Sequence, residues 1–248
     1  MSQLQTMEGA SGDCLYIIIP AYNEAVNIPA VAREWHEVVA KTAHGSRLVI
    51  INDGSKDNTK EILESLREEL PLLHPITKPN GGHGSTVLYG YDYAMKNGAD
   101  FVFQTDSDGQ TLPAEFWPFW EHRHEYAAQI GHRNRRKDGF SRVFVTKTLK
   151  FVLWFVFRIS VTDANTPFRL IRTDILRKYV PKIPENFNLS NVMLTVCLLR
   201  FKEKVRFIPI TFRPRQGGVN SINLPKIFRI GWQAIKDFRR IKKELAKE

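Results

Sequence analysis

The chain has 248 residues, 43% of them hydrophobic and 25% charged, with a formal net charge of +10. That length admits one large domain or two small ones, and that hydrophobic content supplies a sizeable core and excludes a disordered chain. Two cysteines, Cys14 and Cys197, with no Cys-x-x-Cys pattern, exclude a disulfide framework and a cysteine-held zinc site and suit a reducing compartment.

The opening residues, "MSQLQTMEGASGD", are polar and predict no secretory signal. "CLYIIIP" reads as a short buried strand closed by Pro20, and "NIPAVAREWHEVVAK" as a helix. "RLVIIND" is a second buried strand, followed by "NTKEILESLREELP", an amphipathic helix stopped at Pro71. "NGGHGSTVLYGYDYAMKNG" is a Gly-rich turn and then a helix ending at Gly98, and "ADFVFQTD" is the next strand. This alternation predicts an α/β fold, a mostly parallel sheet flanked by helices, in which ligands bind beyond the carboxyl ends of the strands. The strands end in the polar clusters "PAYNE", "NDGS" and "DSDGQ", which should meet on one edge. Near Arg133 the chain turns more basic and aromatic, then returns to a strand pattern in "KVRFIPITF". From Leu224, apolar residues at Ile227, Ile230, Ala234, Phe238, Ile241 and Leu245 recur at spacings of three and four, predicting an amphipathic helix over 224–248 behind a domain of residues 1–223. The longest apolar run, "FVLWFVF" from Phe151 to Phe157, is far short of the roughly 18–20 residues that span a bilayer.

Positive charge is concentrated. Gly131 to Ile159 holds eight basic residues and one acid, and Leu224 to Glu248 holds eight basic and three acidic. Such segments predict an anionic partner: a nucleic acid, a phosphorylated ligand or an anionic membrane. "FSRVFVTKTLKFVLWFVFRIS", Phe140 to Ser160, carries four cations and no acid among dense aromatic and aliphatic residues. That composition suits a helix in the membrane interface, a core helix with a charged edge being the alternative. The histidines (His36, His44, His74, His83, His122, His124 and His132) have no metal-binding spacing on one helix and read as surface or turn residues.

Asp106 and Asp108, one residue apart where a buried strand surfaces, need an explanation, because like charges so close repel. The G-x-G-x-x-G of dinucleotide sites and the G-x-x-x-x-G-K-[ST] of P-loops are absent, and "NGGHG" reads as a tight turn. Calcium loops fail as well, since Thr111 in "DSDGQT" and Asn58 in "DGSKDN" stand where the loop needs glycine. Asp-x-Asp alone describes a solvated turn with Asx hydrogen bonds. The other reading of two carboxylates pointing into one small volume is Mg2+ or Mn2+ held against a diphosphate, the cation filling its shell with phosphate and water oxygens.

"IIIPAYNEAVNI", "VIINDGSKDNT" and "DSDGQ" stand in the order and spacing of family-2 glycosyltransferases with the GT-A fold. "DANTPFRLIRTDIL" (Asp163 to Leu176) resembles a stretch of dolichyl-phosphate mannose synthases and bacterial polyprenyl-phosphate glycosyltransferases, and "IPITFRPRQGGVNSIN" resembles their late strand and Arg/Gly/Ser loop. The resemblance covers roughly Leu15 to Asn223. It implies that Pro20, Ala21, Tyr22, Glu24 and Ser107 line a nucleotide pocket and that Asp53 contacts the base or ribose. Asp106, Asp108 and Gln110 would hold the metal and diphosphate; Arg133 would lie near the sugar and acceptor phosphates, and Arg142 with Thr146 would grip the acceptor phosphate. Arg169, Arg213, Arg215 and Ser221 would belong to the acceptor side and closing loop. This chain departs from the family where its loop ends Ser221-Ile222-Asn223 rather than Ser-Lys, with one extra residue in "RQGGVNS". The lysine's role is left unassigned, with Arg213 and Arg215 the cations at hand.

The resemblance implies an inverting enzyme moving a sugar from a UDP- or GDP-sugar to a polyprenyl phosphate. It would sit peripherally on the cytoplasmic face of a membrane, with a homo-oligomer compatible. A saccharide hydroxyl acceptor is the rival within the class; it would need a general base, whereas a phosphate acceptor is already ionised. A nucleic-acid partner is disfavoured, because no recognition module is present and the richest basic stretch is thick with Val, Leu, Phe and Trp.

Overall fold

The computed structural model describes residues 12–42, 45–133, 140–213, 237, 238 and 240. Its first half alternates strand and helix: β1 (Leu15–Ala21), α1 (Ile28–Val39), β2 (Arg47–Asp53), α2 (Thr59–Glu69), β3 (Leu73–Lys78), α3 (His83–Lys96) and β4 (Phe101–Gln104). Then come a 3-10 turn (Pro113–Phe116), α4 (Trp117–Glu121), β5 (Ala128–Arg133), α5 (Phe140–Phe157), β6 (Arg169–Arg172), α6 (Thr173–Tyr179), α7 (Ser190–Arg200) and β7 (Val205–Ile210).

The strands form one seven-stranded sheet in the order β3-β2-β1-β4-β6-β5-β7. It is mostly parallel, as the sequence predicts; β6 alone runs antiparallel, to β4 on one side and β5 on the other. Strands β3, β5 and β6 are additions to the strand pattern read from the sequence. The last strand on either side of the described sheet contains a proline, Pro75 in β3 and Pro209 in β7.

Both faces of the sheet are covered, so the central strands are apolar throughout. Along β1, Leu15, Ile17 and Ile19 join the core under α1 and α2, while Tyr16 and Ile18 join the core under α3 and α5 to α7. Helix α1 has Pro29 in its first turn, a position where a missing N–H costs nothing. It inserts Trp35 against Phe103 and Phe168, with ring centroids 5.3 and 6.0 Å away. Helix α3 approaches the sheet through Gly90: a Cβ there would stand 2.3 Å from Ile18 Cγ2 and 2.8 Å from Ile51 Cδ1.

Of the helix predicted over 224–248, residues 237, 238 and 240 are described and are helical, and the remainder lies outside the described residues. Phe238 is wholly buried, its ring 5.6 Å from that of Phe157 in α5 and 5.7 Å from Phe187. Among the described residues no helix is long and apolar enough to cross a membrane.

Candidate active site

Because β1, β2 and β4 are parallel, their carboxyl ends share one edge, and the three polar clusters gather there. The loops after β1 and β2 are tied together. Asn23 N donates to Ser55 Oγ (2.9 Å), Glu24 N to Thr59 Oγ1 (2.9 Å), and Ala25 N to Asp57 Oδ2 (3.1 Å). Lys56 N returns a bond to Asn23 Oδ1 (2.8 Å). Pro20 and Ala21 are buried at the end of β1, Tyr22 is exposed beside them, and Glu24 is buried and accepts from Asn27 Nδ2 (2.6 Å).

Asp53 ends β2, in register with Lys78 at the end of β3. Its carboxylate is buried and occupied by its own chain: it accepts from Lys78 Nζ, from Gly81 N (2.8 Å) and from Gly82 N (2.9 Å). Burial pushes this carboxyl up, but the bonds from Lys78 and Gly81 outweigh it and hold the group below its ordinary value. The "NGGHG" turn is thus anchored to Asp53, and a base or ribose contact from this residue would have to share oxygens that already have partners. Lys78, absent from the residues read as functional, carried no local signal, because it meets Asp53 only through the β2–β3 register.

After β4 the chain turns sharply. Thr105 and Thr111 close the turn with a buried hydroxyl pair at 2.8 Å, and Ser107 is buried between the two half-buried carboxylates Asp106 and Asp108. Gln110 N donates to Asp108 Oδ1 at 3.1 Å, the Asx bond expected of such a turn. His83 Nε2, on the first residue of α3, lies 3.9 Å from Asp106 Oδ1. Among the described residues no three or more His, Cys, Asp or Glu side chains form a metal cage. The donor set at this turn is two hard carboxylates, which fits Mg2+ or Mn2+ completing its shell with phosphate and water oxygens. Gln110 directs its side-chain Nε2 to the carbonyl of Arg213 (3.1 Å).

Strand β5 is parallel to β4, so Arg133, its last residue, arrives at the same edge. Arg142 and Thr146 lie on α5, but their side chains, like that of Arg133, are outside the described residues, as are Arg215, Ser221 and the departure at Ile222. Arg169 and Arg213 both have partners within the chain. Arg169 is wholly buried at the start of β6; it donates to the carbonyls of Thr166 (2.6 Å), Asn191 (3.1 Å) and Ala164 (3.3 Å), and to Thr195 Oγ1 (3.3 Å). A guanidinium enclosed by carbonyls braces the 164–166 turn against α7. Arg213 turns its Nη2 to Glu34 Oε2 on α1 (3.1 Å) and to the Thr111 carbonyl (3.2 Å).

A mostly parallel sheet with this strand order, carrying an Asp-x-Asp turn at the edge shared by β1 and β2, is the fold of GT-A glycosyltransferases. The chain belongs to glycosyl transferase family 2, whose model matches residues 16–180. It is similar to the polyprenol monophosphomannose synthase of Mycolicibacterium smegmatis, 23% identical over 219 residues, covering 84% of this chain and 80% of that protein. The undecaprenyl-phosphate mannosyltransferase of Micrococcus luteus is 24% identical over 215 residues, covering 83% and 86%. The undecaprenyl-phosphate 4-deoxy-4-formamido-L-arabinose transferase of Pseudomonas fluorescens is 26% identical over 168 residues, covering 64% of this chain and 47% of that protein. Among solved structures, glucosyl-3-phosphoglycerate synthase from Mycobacterium tuberculosis with UDP superposes with a TM-score of 0.69 at 14% identity, covering 94% of this chain and 81% of the other. The same enzyme with Mn2+, UDP and glucosyl-3-phosphoglycerate gives 0.68 at 14%, with the same coverage.

Proposed function

We propose that this glycosyltransferase moves a sugar from a UDP- or GDP-sugar to a polyprenyl phosphate, with inversion, at a membrane surface. The observation that carries the reading is the pair Asp106 and Asp108 at the strand edge shared with the loops after β1 and β2. The names of three relatives support the acceptor, each a polyprenol or undecaprenyl-phosphate enzyme. Asp106 and Asp108 hold Mg2+ or Mn2+, which when bound supplies positive charge against the departing diphosphate. Glu24, Tyr22 and Ser107 line the nucleotide side. Arg133, Arg142 and Thr146 hold the acceptor phosphate, arginine being suited to bidentate contact with its oxygens; Arg215 and Ser221 serve the acceptor side and closing loop.

In this reaction a phosphate oxygen of the acceptor attacks the anomeric carbon, the bond from that carbon to the donor phosphate breaks, and a nucleoside diphosphate leaves. The attacking oxygen is already ionised, so no side chain has to remove a proton.

Helix α5 supports the membrane. Phe151, Trp154 and Phe155 are 62%, 49% and 55% exposed, and Arg158 lies over the Trp154 ring at 5.1 Å. Exposed aromatics beside cations on one helix fit an anionic lipid interface, where a lipid-linked acceptor is met.

The test is a panel of UDP- and GDP-sugars offered with a short polyprenyl phosphate or with saccharide acceptors, products being identified by mass spectrometry. A glycosyl polyprenyl phosphate is expected. Product on saccharides alone would refute the acceptor.

A further inference from the structure

The turn that carries Asp106 and Asp108 is bracketed from outside the site. Arg213 N donates to the Gln110 carbonyl (2.7 Å) while Gln110 Nε2 donates to the Arg213 carbonyl (3.1 Å), so residues 110 and 213 are joined in both directions. The Arg213 guanidinium reaches past this joint to the Thr111 carbonyl (3.2 Å) and to Glu34 on α1 (3.1 Å). One helical turn before Glu34, Val31 lies beneath the same loop: its Cγ2 would be 3.8 Å from a Cβ at Gly109, whose φ of +69° makes the bend. Helix α1 is fixed in turn by Trp35 in the core. The chain of contacts therefore runs from the core through α1 to Glu34, to Arg213, and to Gln110, two residues from Asp108.

We propose that Glu34 and Arg213 are positioning residues that set the geometry of the cation-holding turn through Gln110, rather than contacts to the donor. Groups that orient metal ligands from behind are worth 10- to 100-fold in metal affinity. Nothing in the sequence marks Glu34, which lies on a helix 72 residues before Asp106 and has no part in any motif. The inference rests on the reading of Asp106 and Asp108 as cation ligands, and the experiment separates the two.

Binding of Mn2+ to the full chain in the presence of UDP would be followed by the loss of the free-ion electron paramagnetic resonance signal, which requires no turnover. Glu34→Gln and Arg213→Gln are each expected to raise the Mn2+ dissociation constant about tenfold and leave the unfolding midpoint in place. The double variant should bind no more weakly than either single one, since both changes break the same chain of contacts. Exchanging the charges, Glu34→Arg with Arg213→Glu, should recover part of the affinity. Weakened binding in Arg213→Gln with unchanged binding in Glu34→Gln would overturn the proposal and make Arg213 a direct donor contact. A lowered unfolding midpoint with unchanged Mn2+ affinity would overturn it in favour of a purely structural ion pair. No Mn2+ uptake by the unsubstituted protein would overturn the cation reading and this proposal with it.

Discussion

At the scale of single residues, two of the acidic positions at the site, Asp108 and Asp53, behave differently. Asp108 sits half-buried on a turn and accepts one backbone bond, so its removal costs the fold little. Asp108→Asn is expected to cut turnover by about 100-fold or more, as for the loss of a group facing developing charge, while the thermal midpoint stays put. Excess EDTA should do the same to the unsubstituted protein, and full activity in EDTA would refute the cation. Asp53, by contrast, is part of the structure. Losing one partner of its buried pair with Lys78 costs about 3 kcal/mol, so Asp53→Asn should lower the urea midpoint at pH 7. Its folded-state pKa lies below the unfolded value of 3.8, so the stability it contributes is present above that value and fades as pH falls through the lower, folded one. The gap between the two proteins should therefore narrow below about pH 4; a constant gap down to pH 2 would disprove the linkage. The sequence marks Asp53 through its place after a buried strand, but its partner is 25 residues away and is brought to it by strand register.

At the scale of elements, β1, β2 and β4 were legible because each is an unbroken apolar run ending in a polar cluster. Strand β7 was read from "KVRFIPITF", but the other three lack a clear signature: β3 carries Pro75, β5 reads "AQIGHR", and β6 is four residues long with arginine at both ends. The reversal of β6 has no local cause in its sequence; it follows from pairing with β4, where Arg169 stands opposite Gln104. The site was legible to the same extent. Its strand-end carboxylates could be read as a cluster on one edge, whereas the bonds that hold Arg169 and Arg213 could not, because burial and partners are set by tertiary structure. Helix α3 provides a test of the packing. Gly90→Ala gains helix propensity of about 0.5–1 kcal/mol, but the added methyl meets Ile18 and Ile51 well inside contact distance. Overpacking of this kind costs about 1–3 kcal/mol, so a net loss of stability is expected in chemical denaturation. A gain would mean that α3 can retreat from the sheet without cost.

At the scale of the whole molecule, the exposed aromatics of α5 are where the proposed docking on lipid can be tested. Each cation near an anionic surface contributes about 1 kcal/mol, and charge alone would be stripped when the Debye length falls to roughly 3 Å at 1 M salt. Partial release from anionic vesicles at high salt and fuller release in detergent are expected. Replacing Phe151, Trp154 and Phe155 with Ser should abolish co-flotation with vesicles and reduce transfer to long-chain acceptors more than to short, water-soluble ones. Equal loss on both, with a lower melting temperature, would make the helix part of the core. Docking would also crowd copies of the protein into two dimensions, and here the prolines of the outer strands acquire a meaning. Proline is tolerated in a strand where its nitrogen faces away from the partner, so Pro75 and Pro209 each leave a gap in the outward row of donors. Among the described residues, a neighbouring molecule finds no continuous ladder to extend on either flank. Copies packed side by side on a bilayer can then touch through helices and loops and still not zip together into a shared sheet.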